Sequence, residues 1–206
     1  EILTGNLVAF PTETVFGLGA NVENENAIRK IYCAKNRPLT NPVIVHINNL
    51  RLAEKYISIK DYTNPLFQLL AREFWPGPLT LVCKCSKNIP NIATANTGTI
   101  GLRCPNNLTA LKLIEKCKVG IVAPSANISG HVSPTSVEHV ENDFNYNKAN
   151  IKVSILSNDL NVINKFPSDS RGRQIKTSAY KICYGVESTI VKIEENSLYI
   201  LRRGGI

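Results

Sequence analysis

The chain has 206 residues, 43% of them apolar, with 24 Lys+Arg against 16 Asp+Glu for a formal charge of +8. Such a chain can bury a substantial core and suits one large domain better than two small ones. Its charge favours an anionic partner, nucleotide or nucleic acid, without choosing between them. Six irregularly spaced cysteines with no C-x-x-C pair speak against a disulfide-stapled scaffold or a zinc site and favour a reducing compartment. No apolar run reaches the length of a membrane span, so membrane association is not expected. Methionine is absent and residue 1 is Glu, so a targeting extension removed from the native start stays open. A cytoplasmic location is expected, with an organellar one compatible.

Asn6 to Pro11 reads as a short buried strand stopped by proline, and Ala27, Ile28, Ile31 and Ala34 then recur at helical spacing up to Asn36-Arg-Pro38. Val43 to Ile47 is a second strand. Asn64-Pro65 opens a helix carrying Leu66, Leu69, Leu70 and Phe74, which Trp75-Pro-Gly-Pro78 stops. Leu79 to Cys85 resumes as strand, with Cys83 and Cys85 on one face as small core residues. The polar loop Ser86 to Asn96, interrupted by Pro90, points to a mixed sheet. Thr99 to Arg103 is a further strand, Leu108, Leu111 and Ile114 mark a helix, and Val119 to Ala123 is a strand that feeds a small-residue loop. From about 138 to 184 the chain is rich in Asn, Lys and Ser, with Arg171-Gly-Arg173 and Lys176 adding charge. It reads as a long connection with one strand at Val153 to Leu156. Val186 to Ile193 and Leu198 to Arg202 form a closing pair around the turn Glu194 to Ser197. The alternation argues one layered α/β domain over 1–206.

Four polar clusters end or follow apolar segments: Pro11 to Thr14; Lys35 and Arg37 with Asn41 and His46; Thr99 with Arg103; and Ser125-x-Asn127 with Ser133. Loops at strand ends are where α/β sheets place ligands, which makes one shared crevice the expectation. The run Ala123-Pro-Ser-Ala-Asn-Ile-Ser-Gly130 offers backbone N–H groups and short donors, as an oligophosphate requires. Each cluster has an ordinary structural alternative. Lys35 and Arg37 also suit the cationic last turn of a helix, His46 a structural histidine, Arg103 a surface ion pair, and Gly17 and Gly19 a turn. There is no P-loop, no G-x-G-x-x-G, no nucleophile elbow and no carboxylate cage, so any Mg²⁺ is expected to arrive on nucleotide phosphates.

Taken in order, Pro11-Thr-Glu-Thr-Val-Phe-Gly-Leu-Gly19, Lys35-x-Arg37-Pro38, Asn41-Pro-Val-Ile-Val-His46, Trp75-Pro-Gly-Pro-Leu-Thr80, Arg103-x-Pro105, Pro124-Ser-Ala-Asn-x-Ser-Gly130, Ser133-Pro-Thr135, Glu187-Ser-Thr-Ile-Val191 and Leu201-Arg-Arg-Gly204 resemble the YrdC-like family of threonylcarbamoyl-AMP synthases. The resemblance spans about 4–137 and 185–204. It implies a twisted, open, mixed α/β sheet with flanking helices around a basic cavity. The reaction implied is L-threonine, bicarbonate and ATP giving threonylcarbamoyl-AMP and pyrophosphate, with a separate transferase modifying tRNA. Carried over by motif, Lys35, Arg37, Asn41, Thr99, Ser125, Asn127, Ser133 and Arg202 face ATP, with Lys35 and Arg37 as catalytic cations. Thr14, His46, Arg103, the backbone at Ala123, and Ser188 face threonine. The chain departs from the family pattern at Phe16, where Tyr is usual, and at Val132, where Pro is common. The chain stops at Arg202-Arg-Gly-Gly-Ile206 without the additional C-terminal domain that some members carry, so the expectation is the single-domain form or else a chain from which that domain has been removed. The main rival is a non-catalytic nucleic-acid-binding module, which predicts salt-sensitive RNA affinity and no ATP turnover, while weak tRNA or RNA binding is compatible with the enzyme as well. A second rival is a related enzyme forming a carbamoyl adenylate from carbamoyl phosphate.

Overall fold

The computed structural model describes residues 1–144, 151–157 and 184–206. These form nine strands, β1 (Leu7–Phe10), β2 (Gly17–Asn21), β3 (Ile44–His46), β4 (Leu79–Lys84), β5 (Thr99–Arg103), β6 (Ile121–Val122), β7 (Val153–Ile155), β8 (Thr189–Glu194) and β9 (Ser197–Arg202). Seven α-helices accompany them, α1 (Glu25–Lys35), α2 (Leu50–Glu54), α3 (Ile59–Tyr62), α4 (Pro65–Phe74), α5 (Asn91–Thr94), α6 (Leu108–Cys117) and α7 (Val137–Phe144). The strands join one sheet in the order β7-β1-β2-β6-β3-β5-β4-β8-β9. Three pairs are parallel, β1 with β7, β3 with β5 and β4 with β8, and the others antiparallel, so the sheet is mixed as the sequence suggests.

β1 shows why the central strands read as unbroken apolar runs. Leu7 and Ala9 enter the main core while Val8 and Phe10 enter a smaller one with Ala110, Ile114 and Ile121, so both faces of the strand are covered. Ile28 and Ile31 of α1 and Phe67 and Ala71 of α4 pack into the main core. Sequence-local chemistry sets the helix ends. Asn24 caps α1 by accepting from Ala27 N at 3.0 Å, and Asn36 closes it in the left-handed region at φ 50°. Pro65 follows the cap Asn64 at the start of α4.

Three features differ from the sequence reading. Gly17 and Gly19 do not shape a turn but lie in β2, between β1 and β6. A Cβ on Gly19 would sit 2.8 Å from a Phe10 ring carbon and 2.9 Å from Ile121 Cγ2, so close packing of neighbouring side chains, and not turn geometry, requires the glycine. The polar loop from Ser86 contains the short helix α5. Helix α7 occupies the start of the long polar connection, burying Val140 and Phe144 with Val137 packed beside them. The strand expected at Val153 to Leu156 is β7, in register Leu7↔Val153 with β1. Arg171, Arg173 and Lys176 lie outside the described residues. Among the described residues no helix is long and apolar enough to cross a membrane.

Candidate functional site

A cleft of about 180 Å³ lies where the β1–β2 loop, the ends of β3 and β5, the loop after β6, the segment before β8 and the end of β9 meet. Sheet register builds its base. His46 and Arg103 end adjacent parallel strands and are Cα partners, so pairing places an imidazole beside a guanidinium at the base. Both side chains are buried. Burial, with the Arg103 charge adding to it, pulls the His46 imidazole down to about 3, so it is neutral at physiological pH. His46 Nδ1 has no hydrogen-bond partner among the described residues.

Arg103 Nη2 lies 2.8 Å from Glu13 Oε1, and its Nε donates to Gly77 O at 3.3 Å. The Glu13 contact is an ion pair without hydrogen-bond alignment, which leaves the guanidinium edge with donor capacity toward the cleft. Beside it the Thr12 hydroxyl donates to Val15 O at 2.7 Å and stands 2.9 Å from the Thr14 hydroxyl. The Thr12 oxygen also accepts from Thr14 N at 3.1 Å and Val15 N at 3.3 Å, closing a tight turn that holds Thr14 at the cleft. On the facing wall Ser188 Oγ lies 2.8 Å from Thr80 Oγ1. Arg202 donates through Nη2 to Ser188 O at 2.9 Å and pairs through Nη1 with Glu187.

The remaining wall is the loop after β6. Leu18 N donates to Pro124 O at 2.8 Å and Ala126 N to Phe16 O at 2.7 Å, so Ala123, Pro124 and Ser125 are drawn against β2 and line the cleft. Lys35, at the end of α1, sits behind this loop with its side chain 1% exposed, donating to the carbonyls of Ser125 and Asn127. Burial, with Arg37 adding to it, pulls the amine down to about 7, against the pull of Asp143 and Glu187. Arg37 lines the cleft and is steadied by Nη2 donating to Pro42 O at 2.9 Å.

Of the residues expected from the sequence, Thr14, Arg37, His46, Arg103, Ala123, Ser125, Ser188 and Arg202 therefore meet at one cleft. Five others do not line it. Lys35 braces the loop from behind, where burial and two carbonyl acceptors hold its amine. Asn127 lends its side-chain Nδ2 to Ile128 O and His131 O. Asn41 is exposed, with its carbonyl accepting from the Tyr32 hydroxyl at 2.9 Å, and Ser133 is half-buried. Thr99 begins β5 at the opposite end from Arg103, lines a separate cavity with Val82 and Lys84, and has its hydroxyl 3.0 Å from that of Thr97. Two lining or partner groups carried no role in the sequence reading, Glu13 and Glu187. Each is an acid adjacent to an assigned residue, and the signal was the need of the buried Arg103 and the half-buried Arg202 for a counter-charge.

His46 offers a direct check. Its folded value near 3 lies below the ordinary 6.5, so the unfolded chain takes up a proton that the folded chain refuses as pH falls below 6.5. Stability is expected to drop between pH 6.5 and 5, and a His46→Gln variant should lose that part of the drop in urea unfolding. An unchanged pH dependence in the variant would place the drop elsewhere.

A mixed sheet whose strand ends collect two guanidinium groups, a neutral imidazole and a small-residue loop defines an α/β protein with a basic cleft for a small anionic ligand. The chain belongs to the Sua5/YciO/YrdC family, whose profile, described as "Telomere recombination", matches residues 1–169. It is 42% identical over its full length to a threonylcarbamoyl-AMP synthase of Pyrococcus abyssi and 38% identical over 97% of the chain to one of Bacillus subtilis. These alignments cover 52% and 50% of those proteins, so the chain spans about half the length of these relatives. Among solved structures, P. abyssi Sua5 complexed with L-threonine aligns at a TM-score of 0.80 and 41% identity, covering 99% of this chain and 52% of that one. E. coli YciO shares the fold at a TM-score of 0.74 and 17% identity, covering 98% of this chain and 85% of that one.

Proposed function

We propose that the chain forms L-threonylcarbamoyl-AMP, transferring an adenylyl group from ATP to the carbamate of L-threonine. The observation that carries the reading is the register pair His46↔Arg103 at the base of the cleft, in a chain 41% identical to a protein whose structure holds L-threonine. A volume of about 180 Å³ suits a small amino acid, being below the roughly 300 Å³ at which drug-sized pockets begin. Arg103 would grip the α-carboxylate with its fork, and Thr14, Ser188 and the backbone at Ala123 would take the polar groups of threonine. Neutral His46 accepts or donates one hydrogen bond without adding charge.

ATP would lie across the rim, with Arg37, Arg202 and Ser125 toward its phosphates and Lys35 acting through the loop it braces. Asn41, Thr99, Asn127 and Ser133 are assigned to the nucleotide by motif alone. Mg²⁺ enters as part of the MgATP substrate. Chemically, the threonine amine and bicarbonate give an N-carboxylate and water. One carboxylate oxygen then attacks the α-phosphorus, and the bond to the β-phosphate oxygen breaks to release pyrophosphate. Two anions must meet in this step, so positioning and charge neutralisation by Arg37 and Arg202 carry the catalysis, with no protein nucleophile. The product would feed a separate transferase acting on tRNA, within the cytoplasm.

The test is pyrophosphate release from ATP and bicarbonate with L-threonine, L-serine or L-valine. Threonine should be preferred over serine by roughly 10- to 200-fold, the worth of one methyl contact. Valine should fare worse still, since a buried polar partner would be left without its hydroxyl. Equal turnover of threonine and valine, or none with either alongside salt-sensitive RNA binding, would overturn the proposal.

A further inference from the structure

Helix α7 lies outside the cleft, yet one of its side chains holds the loop that walls it. The Asp143 carboxylate accepts from Ile128 N at 2.9 Å through Oδ2, and its Oδ1 lies 2.8 Å from His131 Nδ1. The carboxylate only accepts, so the proton of that second contact sits on the imidazole nitrogen. Asn127, next in the same loop, closes the turn by donating from Nδ2 to His131 O at 2.7 Å. The segment Asn127 to His131 is thus gripped at both ends, and its first residue supplies one of the two carbonyls that hold Lys35, Ser125 just before it supplying the other. Ser129 N completes the ring by donating to Lys35 O at 2.9 Å. The side chain of Asp143 is 17% exposed, so its charge is only partly screened.

We infer that Asp143 is a positioning residue for the phosphate side of the cleft, fixing the Ser125–Asn127 loop on Lys35 by clamping Ile128 and His131. The clamp does two things. It sets the direction of the Ser125 and Asn127 carbonyls, and it supplies a negative charge that favours the protonated form of Lys35. The charged groups acting on that amine are Arg37 at the end of its own helix, Asp143 from α7, and Glu187 from the segment before β8. Arg37 opposes protonation and the two carboxylates favour it. With Asp143 neutral, the amine is less able to stay charged when phosphate approaches.

The inference rests on reading this loop as the phosphate side, and its test separates the two. Asp143→Ala removes both contacts, whereas Asp143→Asn keeps a carbonyl oxygen for Ile128 N and removes the charge. The Lys35 protonation midpoint, followed without ligand by the NMR shift of its side-chain carbon and assigned with Lys35→Met, should move to lower pH in both variants. In the pyrophosphate assay Asp143→Ala should raise the KM for ATP about tenfold, the equivalent of one lost hydrogen bond to a charged group, while the KM for threonine stays within about twofold. Asp143→Asn should recover only the part of the ATP affinity that comes from the Ile128 contact, so its KM for ATP should fall between those of the parent and of Asp143→Ala. A Lys35 midpoint unmoved in both variants would overturn the inference, as would parallel rises in both KM values that track loss of thermal stability. If the Ala variant does not fold, the Asn variant and its titration decide. A parent chain without activity overturns the proposed reaction, and the titration alone then decides the clamp.

Discussion

An Arg103→Ala variant is expected to lose threonine-dependent pyrophosphate release and at the same time about 3–5 kcal/mol of folding stability, the ordinary cost of orphaning one member of a buried ion pair. The side chains of Arg103 and Glu13 are 5% and 10% exposed. Removing the guanidinium leaves the Glu13 carboxylate without a counter-charge in a place where water hardly reaches. The two losses have different origins and can be parted. Adding Glu13→Gln to Arg103→Ala takes away the orphaned charge and should return most of the stability, measured by urea unfolding, with no return of activity. Arg103→Lys should keep the ion pair as a point charge and lose the fork, so stability survives better than threonine affinity. A double variant as unstable as the single one would show that Arg103 supports the fold through packing and not through Glu13.

Lys35→Met is expected to cut pyrophosphate release by about 100-fold, the scale on which misplacing a reacting group acts. The side chain remains long and apolar enough to fill the space, but the carbonyls of Ser125 and Asn127 lose their donor and the loop is no longer braced. A second readout concerns pH. In the folded chain the amine titrates near 7, well below its ordinary 10.5, so between those values the unfolded chain binds a proton that the folded chain lacks. Stability of the parent should therefore rise with pH, by at most about 1.4 kcal/mol per pH unit from this group. The window from about pH 7 to 8.5 suits the measurement. Above it the thiols of Cys83 and Cys104 and the phenol of Tyr56, all pushed up by burial, act in the opposite direction. Lys35→Met should flatten the rise. A variant with the parent's slope and turnover would remove Lys35 from both roles.

Much of the fold was legible because its central strands are buried on both faces and its longer helices α1, α4 and α6 are capped by asparagines in their own sequence. β1, β4 and β5 stood out as apolar runs, and Asn64-Pro65 marked the start of α4. β2 was not legible, since Gly-Leu-Gly carries no strand propensity and its glycines answer to Phe10 and Ile121, which are distant in sequence. α7 was hidden in a segment whose average composition is polar, although Val137, Val140 and Phe144 keep a helical stripe. Eight of the residues picked out by motif order, among them Arg37, Arg103 and Arg202, line one cleft. Motif order missed that Lys35 points into the back of a loop, because a KxR spacing says nothing about which of the two cations the helix end buries. Glu13 and Glu187 passed unassigned because a counter-charge is recognised only once the distance to its arginine is known.

The cleft is built from two materials. His46 and Arg103 sit on neighbouring hydrogen-bonded strands, about 4.8 Å apart in the pairing direction, so their spacing is a property of the sheet itself. The wall after β6 is a loop, tethered to β2, to the end of α1 and to α7 by a few single contacts. Such tethers open by local fluctuation well before a sheet does. On warming, the chain thus retains its arginine–imidazole seat up to the cooperative melting of the domain, while the loop wall loosens at lower temperature. For the proposed reaction, heat would silence adenylyl transfer first and amino-acid recognition last.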